Sequence, residues 1–565
     1  MVRLVVLLPA LIAIPIFATA TGEAVSSRQA PLAEPGRQID ALFQPWNEPH
    51  TPGAQVAIID HGKIILKRSY GCANFENKIP INDETVFDAA SVAKQFTAMA
   101  IVLLEQDGKL SIENDVHKYL PELPDYDVKI TLRNLLQHTS GIRDDLDLLT
   151  IAGGQPGDVI THEQALRIIF RQKELNFPAG TRWLYSNAGF TLLAEIVMRV
   201  SGEPFPEFCA RRIFRPLGMD HTHFHSRLEE IVPNRACSYD PAKDGYATVL
   251  LNCADVGPSC LYTTAEDLVR WLDNFRNPKV GGPAAIARLE EPAVLSSGKR
   301  IDYAMGLELG RYRGLHLIAH GGVIGAYRSD VLWFPDQEFG VAVLSNDGGF
   351  DTKAMTRNIA DLYLANAFTR PRPQGESVSV RPMVKFDPAA FDGFAGTYEP
   401  EEHPGFLLTC TRDENRFFIQ ATGQRRFEME PESAATFFVE GMNAKVTFVT
   451  DAKGTAIGLT NYQDGKNHPA HRIEDAITAD ELAQYAGAYW SDELEAQYRF
   501  LLRDGKLIGE NRVGEFSVVH SRGDDFMTPI DPLCSLHFLR NNTGQVVGVI
   551  MGGDRVFGIC FSKKP

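Results

Sequence analysis

The chain has 565 residues, and at about 150 residues per domain that length leaves room for roughly three to four domains. Apolar residues make up 44% and charged residues 23%, a balance that buries sizeable cores without metals or disulfides and excludes disorder of the whole chain. With 56 Lys plus Arg against 72 Asp plus Glu, the net charge of −16 argues against a nucleic-acid surface or a polybasic membrane patch and points to a small molecule or peptide as partner.

At the start, Arg3 precedes an apolar run to Phe17, and Ala18-Thr19-Ala20 is a small-x-small site. Residues 1–20 therefore read as a secretory signal peptide cleaved near Ala20, with an uncleaved anchor as the alternative, and the expected location is periplasmic or secreted. No later segment is long and apolar enough to cross a bilayer, so the mature chain is expected not to insert in a membrane. Residues 21–38 read as a linker.

Residues 39–368 form the first domain. The runs 54–60 (AQVAIID) and 63–70 (KIILKRSY) flank His61-Gly62 as a hairpin would. Helical periods follow in 92–106, 132–137, 162–170 and 188–200, and strand-like runs return at 315–319, 327–334 and 340–345. One antiparallel sheet built from both ends of the segment, with a helical region between them, gives an α+β class.

The Pro- and Arg-rich stretch 369–385 reads as a second linker. Beyond it Phe394-Ala395-Gly396-Thr397-Tyr398 recurs as Tyr485-Ala486-Gly487-Ala488-Tyr489, and Phe448, Gly454 and Gly458 recur as Phe538, Gly544 and Gly548. Two copies of one small antiparallel β-barrel-like unit are expected, at 386–475 and 476–565.

Three motifs in the first domain carry chemistry. Ser91-Val92-Ala93-Lys94 opens the helical period at 92–106, so Lys94 lies one turn from Ser91 and on the same face. A serine hydroxyl needs a neighbouring base, and a buried lysine has its pKa lowered enough to serve. Alone, Ser91 reads equally well as a helix N-cap. The same spacing in Ser296-Ser297-Gly298-Lys299 has no amphipathic helix behind it and is set aside. Tyr185-Ser186-Asn187 enters the helix that follows, where a tyrosine can shuttle a proton and an amide can hold a substrate carbonyl or a lysine; alone it reads more simply as a loop cap. His320-Gly321-Gly322 follows the strand 315–319, where the glycines can let a substrate approach and the Val323 N–H can join that of Ser91 in an oxyanion hole; alone the motif reads more simply as a turn with a solvent-facing histidine.

In this order the motifs resemble the penicillin-recognising serine hydrolases: class C β-lactamases, DD-peptidases, D-aminopeptidases and esterases of β-lactamase fold. The stretches 130–142 (ITLRNLLQHTSGI), 213–224 (IFRPLGMDHTHF) and 257–271 (GPSCLYTTAEDLVRW) are similar to that family too. The resemblance implies Ser91 as the acylated nucleophile, Lys94 and Tyr185 as the acid/base pair, and Asn187 with His320, Gly321, Gly322 and Val323 as substrate and oxyanion contacts, with no cofactor. Which of Lys94 and Tyr185 is the base stays open. His320 stands where β-lactamases carry a lysine, and a mostly neutral imidazole there puts strong β-lactamase or carboxypeptidase activity in doubt. The trailing β modules most resemble a D-aminopeptidase architecture. Cleavage of a small amide or peptide is expected ahead of ester hydrolysis, with a catalytically silent binding protein as a further alternative.

Of the eight cysteines, Cys253 and Cys260 are spaced for a short-loop disulfide, and burial of all eight as free thiols is the other reading. His221, His223 and His225 alternate, but with no carboxylate at ligand spacing they are expected in a solvated loop and no metal site is expected.

Overall fold

The computed structural model describes residues 35–565 apart from 156, 372–385, 403–406, 422–423, 425, 440–443, 464–465, 474–476, 529–531 and 534. The signal peptide expected at 1–20 and most of both linkers lie outside the described residues. Among those described, no helix is long and apolar enough to cross a membrane.

Six strands form the sheet of the first domain: β1 (Ala54–Asp60), β2 (Lys63–Tyr70), β3 (Glu308–Tyr312), β4 (Leu315–Ile324), β5 (Tyr327–Phe334) and β6 (Phe339–Ser345). They are ordered β3-β4-β5-β6-β1-β2 and all pairings are antiparallel. The first and last parts of the domain thus meet at the β1–β6 pair, where Ala54 faces Ser345 and Asp60 faces Phe339. Both strands are buried along nearly their whole length, which is why they read as continuous apolar runs rather than alternating ones. Helices Pro35–Leu42 and Thr352–Tyr363 pack on one face, with Ile39, Phe43, Val341 and Ile359 in one core. The helical region covers the other face.

The centre of that region is helix Ala93–Gln106, of which residues 93 to 104 are all buried. Apart from Lys94, Gln95 and Thr97 these buried residues are apolar, as in a helix enclosed by a core, and the helix packs against Asn187–Ser201. The consequence for chemistry is direct, because Lys94 rides in the first turn of a helix that water does not reach.

Strand β4 corrects one expectation. It does not end at Ala319 but runs through His320-Gly321-Gly322 to Ile324, with Gly321 opposite Asp330 and Gly322 opposite Ser329. The glycines are mid-strand, where a missing side chain marks close approach of another backbone. A second correction concerns the histidine run. His223-Phe224 is a strand paired with Leu261-Tyr262, His223 is half-buried and stacks on Tyr262 and His225 is buried, so these two pack into the fold, whereas His221 lies exposed in a turn, as expected.

The first repeat closes into an eight-stranded barrel from Gly396–Pro400 to Lys466–Ile473, filled by Phe391, Phe394, Phe417, Phe437 and Phe448. The second forms a nine-stranded antiparallel sheet around Tyr489, Phe500 and Phe538. The recurring motif does the same work in both: the Tyr398 hydroxyl donates to the Phe394 carbonyl at 2.5 Å, and the Tyr489 hydroxyl donates to the Tyr485 carbonyl at 2.7 Å. The second repeat shares its core with the first domain, since Leu148, Ile151 and Ile168 pack into it.

Candidate active site

Ser91 sits in a tight turn, Ala90–Val92, that leads directly into helix Ala93–Gln106. Ala90 has φ +48, a left-handed conformation that costs a non-glycine residue roughly 1–3 kcal/mol. The turn is held from two sides. The Asp88 carboxylate accepts the Ala90 N–H at 2.8 Å, and the Ser329 hydroxyl donates to the Ala89 carbonyl at 2.7 Å. Gly322 lies against the same turn; a Cβ there would stand 2.4 Å from the Ala89 carbonyl oxygen. The strained turn and the glycine strand are therefore fitted to each other.

Lys94 Nζ lies 3.0 Å from Ser91 Oγ, 2.8 Å from Asn187 Oδ1 and 3.1 Å from the Pro258 carbonyl. Burial pushes its pKa down from 10.5 to about 7, against the pull of the Asp144 carboxylate and with help from Arg555. The two oxygen acceptors fix the hydrogen-bonding role of the neutral amine. Its two N–H groups donate to Asn187 and Pro258, which leaves the lone pair for the Ser91 hydroxyl.

Tyr185 completes the centre. Its ring lies 4.7 Å from Lys94 Nζ, and its hydroxyl is buried with no hydrogen-bond partner among the described residues. Burial pushes the phenol pKa above its usual 10, opposed by the adjacent Ser91 hydroxyl and by Arg555. Asn187 is not the cap of its helix: Ser186 holds the N-cap position without a side-chain cap bond, which frees the Asn187 amide for Lys94.

Ser91, Tyr185 and Asn187 line one cleft of about 700 Å³ with Ser259, Glu308, Val323 and Arg555, a size suited to a small ligand. The structure brings Ser91, Tyr185, Asn187, His320, Gly321, Gly322 and Val323 to this cleft and Lys94 directly behind Ser91. His320 is buried and Val323 exposed. Burial lowers the His320 pKa to about 4, so its imidazole is neutral near pH 7.

Several residues here escape a motif search. Asp144 accepts the Asn187 backbone N–H at 2.6 Å. Arg555, from the second repeat, pairs with Asp144 at 3.3 Å and with Asp147 at 2.9 Å. It arrives on a hairpin docked by Asn176, whose amide donates to the Arg555 carbonyl and accepts the Phe557 N–H, both at 2.8 Å. Beside it Arg143 is buried against Glu493 at 2.8 Å. Of these, Arg143 and Asp144 directly follow the stretch 130–142; Arg555 has no local signal at all.

The Beta-lactamase family model matches residues 39–365. Penicillin-binding protein 4* of Bacillus subtilis is 26% identical over 78% of this chain and 99% of its own length. The D-aminopeptidase of Brucella anthropi is 25% identical over 89% of this chain and 93% of its own. Among solved structures, the octameric penicillin-binding protein homologue from Pyrococcus abyssi superposes with a TM-score of 0.55 at 22% identity, over 78% of this chain and all of that one. The D-amino acid amidase from Ochrobactrum anthropi SV3 gives 0.50 at 21%, over 59% of this chain and 98% of that one. These two share the fold. The match over residues 39–365, on the sheet and helices that assemble this cleft, shows that the chain belongs to the β-lactamase family and is a β-lactamase-related serine hydrolase.

Proposed function

We propose that this protein is an exported hydrolase that cleaves a small amide or peptide bearing a free ammonium group, in the manner of a D-aminopeptidase, through an acyl-enzyme on Ser91. Enzymes of the family are typically periplasmic or secreted, and export here rests on the segment 1–20. The observation that carries the reaction is Lys94 Nζ, held 3.0 Å from Ser91 Oγ and neutral in part near pH 7.

The neutral amine of Lys94 takes the Ser91 proton as Oγ attacks the substrate carbonyl. The oxyanion rests on the N–H groups of Ser91 and Val323. Tyr185, whose proton is held tightly by burial, suits the role of donor to the departing amine better than that of base. The amine leaves, and water releases the acyl group by the reverse route.

Substrate class follows from charge. The cleft contains no lysine in the His320 position to draw a carboxylate. Glu308, opposite Ala319, is exposed and lines the cleft beside His320, whereas the other charges of the lining are matched: Arg555 is taken up by Asp144 and Asp147, Arg328 donates to the Gly325 and Tyr327 carbonyls, and the exposed Lys353 is offset by the exposed Asp351 two residues before it. An open carboxylate favours a cationic substrate end, and the similarity to proteins named D-aminopeptidase covers nearly the whole chain.

Intact-mass measurement after incubation with a fluorophosphonate tests the nucleophile: one adduct on the wild type and none on Ser91→Ala is the expected result, and no adduct on either would favour a silent binding protein. A panel of D-aminoacyl anilides against short-chain p-nitrophenyl esters tests the bond. Glu308→Gln should raise KM for the anilides and leave the neutral esters unchanged; exclusive ester turnover would sink the amidase reading.

A further inference from the structure

A buried chain of hydrogen bonds joins the loop of Tyr185 to the strand of His320, and its direction is fixed at one end. The Ser186 backbone N–H lies 3.2 Å from His138 Nδ1 and can only donate, so that nitrogen is an acceptor and the His138 proton is on Nε2. His138 Nε2 lies 3.0 Å from the Tyr303 hydroxyl and donates to it. The Tyr303 proton is then free for His320 Nε2 at 3.2 Å. His320 therefore carries its proton on Nδ1, which donates to the Gly321 carbonyl at 2.7 Å. All three side chains are 2–3% exposed, so water does not substitute for a missing partner.

The chain also builds the pocket of Tyr185. The Tyr185 ring lies 4.2 Å from that of His138, 6.4 Å from Tyr303 and 6.3 Å from His320, measured between centroids. Ser186 is the residue between Tyr185 and Asn187, and Gly321 is next to Gly322, the residue pressed on the nucleophile turn. One relay thus ties both sides of the cleft together.

We propose that His138 and Tyr303 are positioning residues: through the sequence Ser186 N–H, His138, Tyr303, His320, Gly321 C=O they hold the Tyr185 loop and the glycine strand at a fixed spacing and keep His320 a neutral acceptor. They touch no substrate. Their kinetic effect rests on Ser91 being the acylated residue, but the relay itself does not.

Tyr303→Phe keeps the ring and removes the hydroxyl. Misplacement of reacting groups by an ångström costs about a hundredfold, so the expected result is a fall of roughly ten- to hundredfold in kcat and in Ser91 labelling by fluorophosphonate, with KM within about threefold. Loss of the donor facing His320 Nε2 also favours the imidazolium, so the titration profile of the His320 imidazole should move to higher pH than in the wild type, a readout separate from the acid limb of kcat/KM that Lys94 sets. The other groups around this imidazole, Glu308, Lys94 and Tyr185, are unchanged in the variant. Wild-type rates and profile in Tyr303→Phe would overturn the proposal. Independently of activity, long-range nitrogen–proton spectra of histidine-labelled wild-type protein at neutral pH should show His138 with its proton on Nε2 and His320 with its proton on Nδ1. The opposite tautomers, or an imidazolium at either site, would overturn it even if the variant failed to fold. Correct tautomers in a protein that no probe labels would leave the relay standing and remove the acyl-enzyme reading instead.

Discussion

Arg555 pairs across a domain boundary with Asp144, whose carboxylate oxygen Oδ2 it approaches to 3.3 Å while the same oxygen accepts the Asn187 backbone N–H at 2.6 Å. The last repeat is by this contact part of the first domain's chemistry. Asn187 holds the lysine, Asp144 holds Asn187, and Arg555 balances Asp144.

Replacement of Arg555 by Met should therefore act on both stability and rate. It leaves the fully buried Asp144 carboxylate without its cation, which costs about 3 kcal/mol, the low end for a broken buried pair because a quarter of the arginine is exposed. Arg555 also helps to depress the Lys94 pKa while Asp144 raises it. With the arginine gone the lysine titrates higher, so less of it is neutral near pH 7 and the acid limb of kcat/KM shifts upward. Chemical denaturation and a pH–rate profile of Arg555→Met check the two effects, and an unshifted limb would detach Arg555 from the lysine.

Lys94 gives a second pair of outcomes. Lys94→Met should lose roughly 10²- to 10⁴-fold in kcat, the usual worth of a general base. Stability should move the other way. The lysine pKa falls from 10.5 in the unfolded chain to about 7 in the folded protein, so between these values the unfolded chain binds the extra proton and wild-type stability rises with pH. Below about pH 7 both states are charged and the burial penalty is complete. Thermal melts at several pH values should show the variant gaining most at or below pH 7, with the gain shrinking toward pH 10.

What could be read in advance has a physical boundary. The Ser91–Lys94 pair is encoded by helix spacing, and β1, β2, β5 and β6 by apolar runs between turn residues, so both are legible from adjacent residues. The strand through His320 to Ile324 looked shorter because two glycines carry no strand propensity; its extension is imposed by ladder pairing with Tyr327–Phe334. His225 read as solvated because histidine is polar, and it is buried because Phe224 between His223 and His225 pairs with Leu261. Asp144, Tyr303, the Pro258 carbonyl and Arg555 reach the site only through tertiary contacts, for which one sequence offers no period or spacing.

Gly321 and Gly322 are adjacent in the motif but should respond oppositely to alanine. A Cβ on Gly322 would lie 2.4 Å from the Ala89 carbonyl oxygen, 2.4 Å from Ser329 Oγ and 2.9 Å from Ala90 Cβ, so the nucleophile turn must shift; overpacking of this kind costs about 1–3 kcal/mol. On Gly321 the nearest atom would be Asp330 Oδ1 at 3.4 Å, an ordinary contact. Gly322→Ala should lose Ser91 labelling while Gly321→Ala keeps it. Equal labelling rates in the two variants would show that the strand does not brace the turn.

Cys253 and Cys260 bring the last prediction. Their sulfurs are 3.1 Å apart and both side chains are buried, at the two ends of a loop that supplies the Pro258 carbonyl to Lys94, the Gly257 carbonyl to Thr97 and the Asp255 carboxylate to Thr191 and His162. If the chain is exported as proposed, a thiol pair this close should be oxidised as the chain folds, two thiols giving up two protons and two electrons to an external disulfide. Closing so short a loop contributes roughly 2–3 kcal/mol. Protein isolated without reductant should weigh two hydrogens less than its reduced form and yield a 253–260 cross-linked peptide. Reductant should lower its melting temperature while leaving that of the Cys253→Ala/Cys260→Ala variant unchanged. A free thiol at Cys253 in protein from an oxidising compartment would instead mean that the loop is held by the Lys94, Thr97 and Thr191 hydrogen bonds alone.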